Sequence, residues 1–330
     1  MGIDKGLALD DTVRARGPRV VAIGGGTGLS VLLRGLKNYT SNLTAVVTVT
    51  DDGGSSGRLR GELGVLPPGD IRNCLVALAE TETLMDRVFD HRFKAGRGLK
   101  DHNLGNLLLV ALAEITGDII SAIKEVSRVL AVRGRVLPST LQEVVLAAEM
   151  CDGSIITGET SIRSVRESIK RVFLIPEDCQ PLAETLEAIS RADVVVLGPG
   201  SLYTSIVPNL LVEGVAEVIR KTAATKIYVA NIMTEQGETD NYTVGDHLAA
   251  IYEHVGEGFI DYVIVNDEAI PCELLHRYHQ EEAFPVVADY EQLAAMSVKV
   301  IRENLLSHSN VAWHDPDKLA RTVLKVVRSK

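Results

Sequence analysis

The chain has 330 residues, 46% of them apolar and 24% charged, too apolar for a disordered or low-complexity protein and sufficient to build a sizeable core. Its formal charge of −10 with histidines neutral provides no general field for nucleic acid or an anionic membrane, so an anionic ligand has to be captured locally. The longest apolar run, Leu107 to Ala113, falls far short of the roughly 18–20 residues a bilayer requires. Residues 1–18 are expected as a flexible tail without a secretory core, and the protein as cytoplasmic.

In chain order, Val20 to Ile23 comes first: too continuous for a half-exposed strand and too brief for a helix, it predicts a buried parallel strand. Beyond it, Leu29, Leu32, Leu33 and Leu36 form one apolar stripe of a helix. The strand character recurs at Ala45 to Val49, Val194 to Leu197, Ile227 to Ala230 and Tyr262 to Val265. Alternation of strand and helix predicts an α/β, Rossmann-like, mainly parallel sheet with helices on both faces. Residues from about 80 to 132 read as consecutive helices, a helical insertion in a single elaborated domain over 19–330. Within it, Leu104 to Ile115 is apolar nearly all round, which predicts a buried helix. Thr140 to Met150, Ser154 to Thr157 and Arg171 to Ile175 read as further strands, partly antiparallel. Asp315 to Val327 reads as a terminal helix. The four cysteines form no CxxC pair and are expected as buried free thiols.

Ligands of open parallel sheets bind beyond the carboxyl ends of the strands, and small or polar residues follow all five runs. Gly24, Gly25, Gly26, Thr27 and Gly28 permit close backbone approach, and amides at the start of the Leu29 helix can hold phosphate. Leu29 stands where a dinucleotide fingerprint has its third glycine, and there is no Walker lysine. In the next such segment, Asp51 or Asp52 suits a ribose hydroxyl or a hydrated Mg²⁺, and Ser55 and Ser56 suit phosphate; the segment also reads as a solvated acidic turn. Pro67-Pro68-Gly69-Asp70 predicts a helix capped by Asp70, with Arg72 and Asn73 exposed in its first turn and Arg72 able to fork two hydrogen bonds to phosphate. His102, followed by Asn103 as an N-cap and by Asn106, is either a general acid or base, a phosphate donor, or a satisfied structural histidine. Gly198, Gly200, Ser201 and Thr204 suggest a second anion-binding turn, with the helix restarting at Pro208-Asn209, and two such turns suit a diphosphate. Asn231 follows the fourth run, and Thr243 with Asp246 matches a capping box.

In this order, GGGTGLS, VTVTDDGGSSGRLR, GVLPPGDIRNCL, HNLGN and LGPGSLYTSIVPNL resemble the gluconeogenesis factor family (YvcK-type), within the larger group that includes 2-phospho-L-lactate transferase (CofD-like). The resemblance implies a cytoplasmic protein that binds UDP-sugars, especially UDP-N-acetylglucosamine, or dinucleotides, and requires no cofactor. It further implies a regulator with a protein partner, needed for cell shape and wall synthesis on gluconeogenic carbon sources; a homo-oligomer is compatible with it. Neither nucleic acid nor membrane is an expected partner. The transferase relatives move a phospholactyl group from a guanosine diphosphate donor to a deazaflavin alcohol with Mg²⁺, a role that would fall here to Asp51, Asp52 and His102. Where they carry a Pro-Asp-x-Asp-Thr type segment this chain has Pro68-Gly69-Asp70-Ile71-Arg72-Asn73, which favours the regulatory subfamily.

Overall fold

The five apolar runs all become strands of one parallel sheet in the computed structural model, which describes residues 14, 16–80 and 84–328. The expected tail lies largely outside the described residues. The strands are β1 (Val20–Gly24), β2 (Leu43–Val47), β3 (Arg135–Pro138), β4 (Val145–Met150), β5 (Ile155–Thr157), β6 (Ile169–Ile175), β7 (Val194–Leu197), β8 (Thr225–Val229), β9 (Tyr262–Asn266) and β10 (Lys299–Glu303). Seven of them pair in the order β10-β9-β8-β7-β1-β2-β3, every neighbour parallel. From β1 the chain moves outward to β2 and β3, then returns to β7 on the other side of β1. Connections therefore diverge between β1 and β7, where doubly wound sheets open a crevice for ligands.

The helices of the first half are α1 (Gly26–Leu36), α2 (Gly54–Leu63), α3 (Gly69–Leu78), α4 (Leu84–Asp90), α5 (Leu104–Thr116), α6 (Ile119–Val129) and α7 (Glu159–Ser164). Those of the second are α8 (Ala183–Ser190), a π-helical turn (Leu202–Ile206) running into α9 (Val207–Leu211), α10 (Val215–Lys221), α11 (Val244–Val255), α12 (Cys272–Gln280), α13 (Tyr290–Ala295) and α14 (Pro316–Arg328). Strand residues alternate between two cores: Val20, Ala22, Ala45 and Val47 join one with the leucine stripe of α1, whereas Val21, Ile23 and Val46 join the other. Burial on both faces is why these runs read as uninterrupted.

The further strands read in the 140–175 region are present and antiparallel, and form a separate sheet, β5-β4-β6. Two expectations are corrected. Helix α5 is only half buried: Leu109 and Val110 are enclosed, but Ile115 is 78% exposed, because the helices of 84–129 form a thin layer covered from one side. Of the cysteines, Cys74 and Cys179 are buried and Cys151 and Cys272 are exposed. The capping box at Thr243 and Asp246 is present. Among the described residues no single helix is long and apolar enough to cross a membrane.

Candidate functional site

β1 leads straight into α1 through a turn that only glycine permits at two points. Gly26 sits at φ +63°, and a Cβ on Gly28 would lie 2.5 Å from the carbonyl oxygen of Pro199. The turn after β1 thus packs backbone against backbone on the turn after β7. The N-cap residue Gly25 has no side chain to cap α1, and the Asp70 carboxylate takes the Gly26 amide, so the amides of Thr27 and Gly28 lack an intrahelical acceptor and carry the positive end of the helix dipole. Both residues line a cleft of about 530 Å³ at the β1/β7 divergence, a volume suited to a nucleotide-sized molecule.

Asp51, Asp70 and Asn73 line the cleft beside the first turn, Gly200, Ser201 and Asn231 line the opposite wall, and Tyr278, Trp313 and His314 line it from the C-terminal part of the chain. From the antiparallel insert, α7 contributes Glu159 and Arg163. The second turn differs from the first because its donors are already engaged. Gly200 N–H donates to Asn231 Oδ1 at 3.2 Å, and Ser201 Oγ donates to Glu235 Oε2 at 2.5 Å. Deeper, Tyr203 N–H and Thr204 Oγ1 donate to the two carboxylate oxygens of Glu238 at 3.3 and 2.9 Å.

The cleft is acidic. Arg163 lies 3.7–3.8 Å from Glu159, Glu235 and Glu238. Burial, reinforced by Asp51, Asp70 and Glu238, pushes the Glu159 carboxyl up to about 9. Burial and then Asp51 push Asp70 up to about 6, against the opposing effects of the Gly26 amide, Arg72 and Asn73. Glu238 is likewise raised by burial and by Glu235. An anion can settle here only with protons or a cation to offset these carboxylates.

Of the residues singled out from sequence, Gly25, Gly26, Thr27, Gly28, Asp51, Asn73, Gly200, Ser201 and Asn231 line the cleft. Asp52 turns elsewhere: its Oδ1 accepts from Thr160 N–H at 2.8 Å and Thr160 Oγ1 at 2.7 Å, holding the start of α7, so Asp51 and Asp52 do not form one ion site. Asp70 is not the cap of α3; Pro68 occupies that position and Asp70 lines the cleft. Arg72 is not exposed but 8% accessible, with Nε and Nη1 lacking a hydrogen-bond partner among the described residues, and burial lowers its pKa. His102 Nδ1 lies 3.1 Å from Ser55 Oγ, which also accepts from Asn103 N–H at 3.2 Å, while Asn106 Nδ2 reaches Ser56 Oγ at 3.5 Å. This buried network ties the start of α5 to the start of α2, and burial lowers the His102 pKa. Asn103 is the N-cap of α5, as expected. Asn209 Nδ2 donates to the carbonyls of Gly24 at 3.0 Å and Ser205 at 2.7 Å, a brace between the two turns. Gly198 lies beneath the second turn with φ +77°. Sequence reasoning missed Glu159, Arg163, Glu235, Tyr278, Trp313 and His314. Only the lone tryptophan, just ahead of the terminal helix, carried a usable signal.

A parallel doubly wound sheet with an uncapped, glycine-rich helix start at its point of divergence defines a Rossmann-like protein with a nucleotide-sized cleft. The family described as 2-phospho-L-lactate transferase CofD matches residues 20–306. The chain is 52% identical to a gluconeogenesis factor of Halalkalibacterium halodurans over 307 residues, 93% of this chain and 95% of that one. It is 51% identical to the gluconeogenesis factor of Bacillus subtilis over 312 residues, 94% and 98% of the two chains. A crystal structure of a UPF0052 family member from Bacillus halodurans superposes with a TM-score of 0.90 at 51% identity, covering 93% of this chain and 99% of that one. The chain belongs to the gluconeogenesis factor family, within the CofD family.

Proposed function

We propose that the cleft binds a nucleotide-sugar of the UDP-N-acetylglucosamine type, and that the protein is a cytoplasmic regulator whose occupied state alters its contact with a protein partner. The relatives named gluconeogenesis factor support a role on gluconeogenic carbon sources, and we extend it to cell shape and wall synthesis. The observation that carries the binding reading is the uncapped start of α1 at the β1/β7 divergence, where Thr27 and Gly28 offer amides to a diphosphate. Tyr278 and Trp313 offer aromatic surface to the uracil ring. Among the described residues no group of three or more His, Cys, Asp or Glu is arranged to hold a metal. Asp51 and Asp70 nevertheless present hard oxygen donors beside the first turn, a set that fits a hydrated Mg²⁺ completed by ligand phosphate. When bound, Mg²⁺ would neutralise the phosphate charge against the acidic wall. Titration calorimetry with UDP-N-acetylglucosamine, with and without Mg²⁺, should give saturable heat; its absence under both conditions, together with no thermal stabilisation, would refute the reading.

The CofD match and the acidic wall favour a second reading, an Mg²⁺-dependent transferase using a nucleoside diphosphate donor. In that case Asp51 and Asp70 would hold the metal, and Glu159, protonated at neutral pH, could donate to a departing phosphate. Mass spectrometry of a guanosine diphosphate donor with a deazaflavin alcohol detects transfer or excludes it.

A further inference from the structure

Helix α12 flanks the cleft without burying any of its nine residues. Leu274, Leu275 and Tyr278 fall on one face of it by the three- and four-residue spacing of a helix, and all three are only half-buried. By contrast, α11 encloses its stripe of Val244, Leu248 and Ile251. An amphipathic helix calls for a seat for its apolar face. The chain is fixed on either side of α12. Upstream, the Glu268 carbonyl accepts from Asn266 Nδ2 at 2.8 Å, and the Glu268 carboxylate lies 3.3 Å from Lys318 Nζ. Downstream, Phe284 N–H donates to Thr234 Oγ1 at 2.9 Å and Val286 N–H to the Ile232 carbonyl at 3.0 Å. Between these anchors the helix is tied to the segment ahead of α14: the Tyr278 hydroxyl accepts from Ala312 N–H at 3.1 Å, and Arg277 donates to the Asn310 carbonyl.

A seat exists beside it. Next to the cleft, and sharing Asn231 and Ile232 with it, lies a second cavity of about 260 Å³, walled by Ile232, Val244, Val265, Ile270, Leu275 and Val286. Its polar residues are already engaged, Asn231 with Gly200, Asn266 with the Leu305 amide and Glu268 with Lys318. Water finds few partners in such a space, whereas a leucine side chain gains packing there. α12 contributes Tyr278 to the cleft and Leu275 to this cavity, so one inward movement covers a ligand with the first and seats the second. Closure gains the contact between Tyr278 and a ligand only when the cleft is occupied, which is the differential contact a ligand-driven movement requires. On the nucleotide-sugar reading of the cleft, on which the inference rests, we propose that α12 is a lid that closes on the bound nucleotide-sugar, with Tyr278 over the ligand and Leu275 lodged in the smaller cavity.

Hydrogen–deuterium exchange of the full chain with and without UDP-N-acetylglucosamine and Mg²⁺, run beside calorimetry and stopped-flow fluorescence of Trp313, tests this. With ligand present, the amides of 272–281 should exchange at least about tenfold more slowly while those of β7 and β8 are unchanged. Leu275→Ser should leave the thermal melt and the association rate as they are and raise the dissociation rate by about fivefold. Leu275→Met, which keeps the volume, should restore it. Binding with unchanged exchange over 272–281 overturns the lid and leaves the nucleotide-sugar reading standing, as does a Leu275→Ser chain that releases ligand no faster than its parent. Absence of any binding overturns both.

Discussion

The two glycine-rich turns at the centre of the sheet look alike in sequence and differ in chemistry. Gly24–Ser30 opens onto an uncapped helix whose amides at Thr27 and Gly28 are left for a ligand. In the turn after β7, Gly200, Ser201, Tyr203 and Thr204 instead donate to Asn231, Glu235 and Glu238. The protein's own carboxylates and amide stand where an anion would otherwise bind. On the proposed reading a diphosphate has the first turn to settle on, and the second is a negatively charged wall. The comparison teaches that glycine content measures how closely a backbone can be approached, whereas the anion capacity of a turn depends on which side chains have already claimed its donors.

Contact between the turns gives the largest expected effect. Gly28→Ala would drive a methyl into the Pro199 backbone, and should lower stability by about 1–3 kcal/mol and abolish nucleotide-sugar binding, as read by thermal melts and calorimetry. Asp70 comes next. A carboxyl whose folded value of about 6 exceeds its ordinary 3.8 makes the fold less stable once pH rises through that window and has no such effect below it. Asp70→Asn should therefore raise stability by up to about 3 kcal/mol at alkaline pH and leave it unchanged near pH 3, while weakening any Mg²⁺-assisted binding.

The same carboxylates set the pH dependence of binding. As Asp70 and then Glu159 ionise between about 6 and about 9, the cleft gains negative charge, so affinity for a diphosphate without divalent cation should fall across that window. Mg²⁺ should flatten the profile, and a flat profile without Mg²⁺ would place the phosphates away from these groups. The smallest effect concerns the second turn. Glu235→Gln removes one facing charge but keeps a group able to accept from Ser201 Oγ, so cation-free affinity should improve by about threefold. A loss of binding would mean that Glu235 itself contacts the ligand.

The sheet was legible because its strands are buried on both faces and advertise this as unbroken apolar runs. β3 and β10 were not: they are the two edge strands, Arg-Val-Leu-Pro with its first residue exposed and Lys-Val-Ile-Arg-Glu with both ends out of the core, so neither is an unbroken apolar run. α5 misled for the opposite reason, since a helix apolar all round contains no periodicity from which to read which face is covered. For the cleft, strand-end residues were legible because topology requires them to converge. Glu159, Arg163 and Glu235 were not, because they reach the cleft from a separate small sheet and from a loop beyond β8, with no local pattern that marks them. Arg72 illustrates a third limit: its position in a helix's first turn suggested exposure, but the insertion packs over it, with Phe89 and the Gly105 backbone beside its stem.

The asymmetry between the turns is open to one direct measurement, a crystal structure of the complex with UDP-N-acetylglucosamine and Mg²⁺. The account predicts diphosphate oxygens within hydrogen-bond distance of the Thr27 and Gly28 amides, with Asn231 and Glu235 still holding Gly200 and Ser201. Phosphates seated on Gly200 and Ser201, with those two side chains displaced, would contradict it.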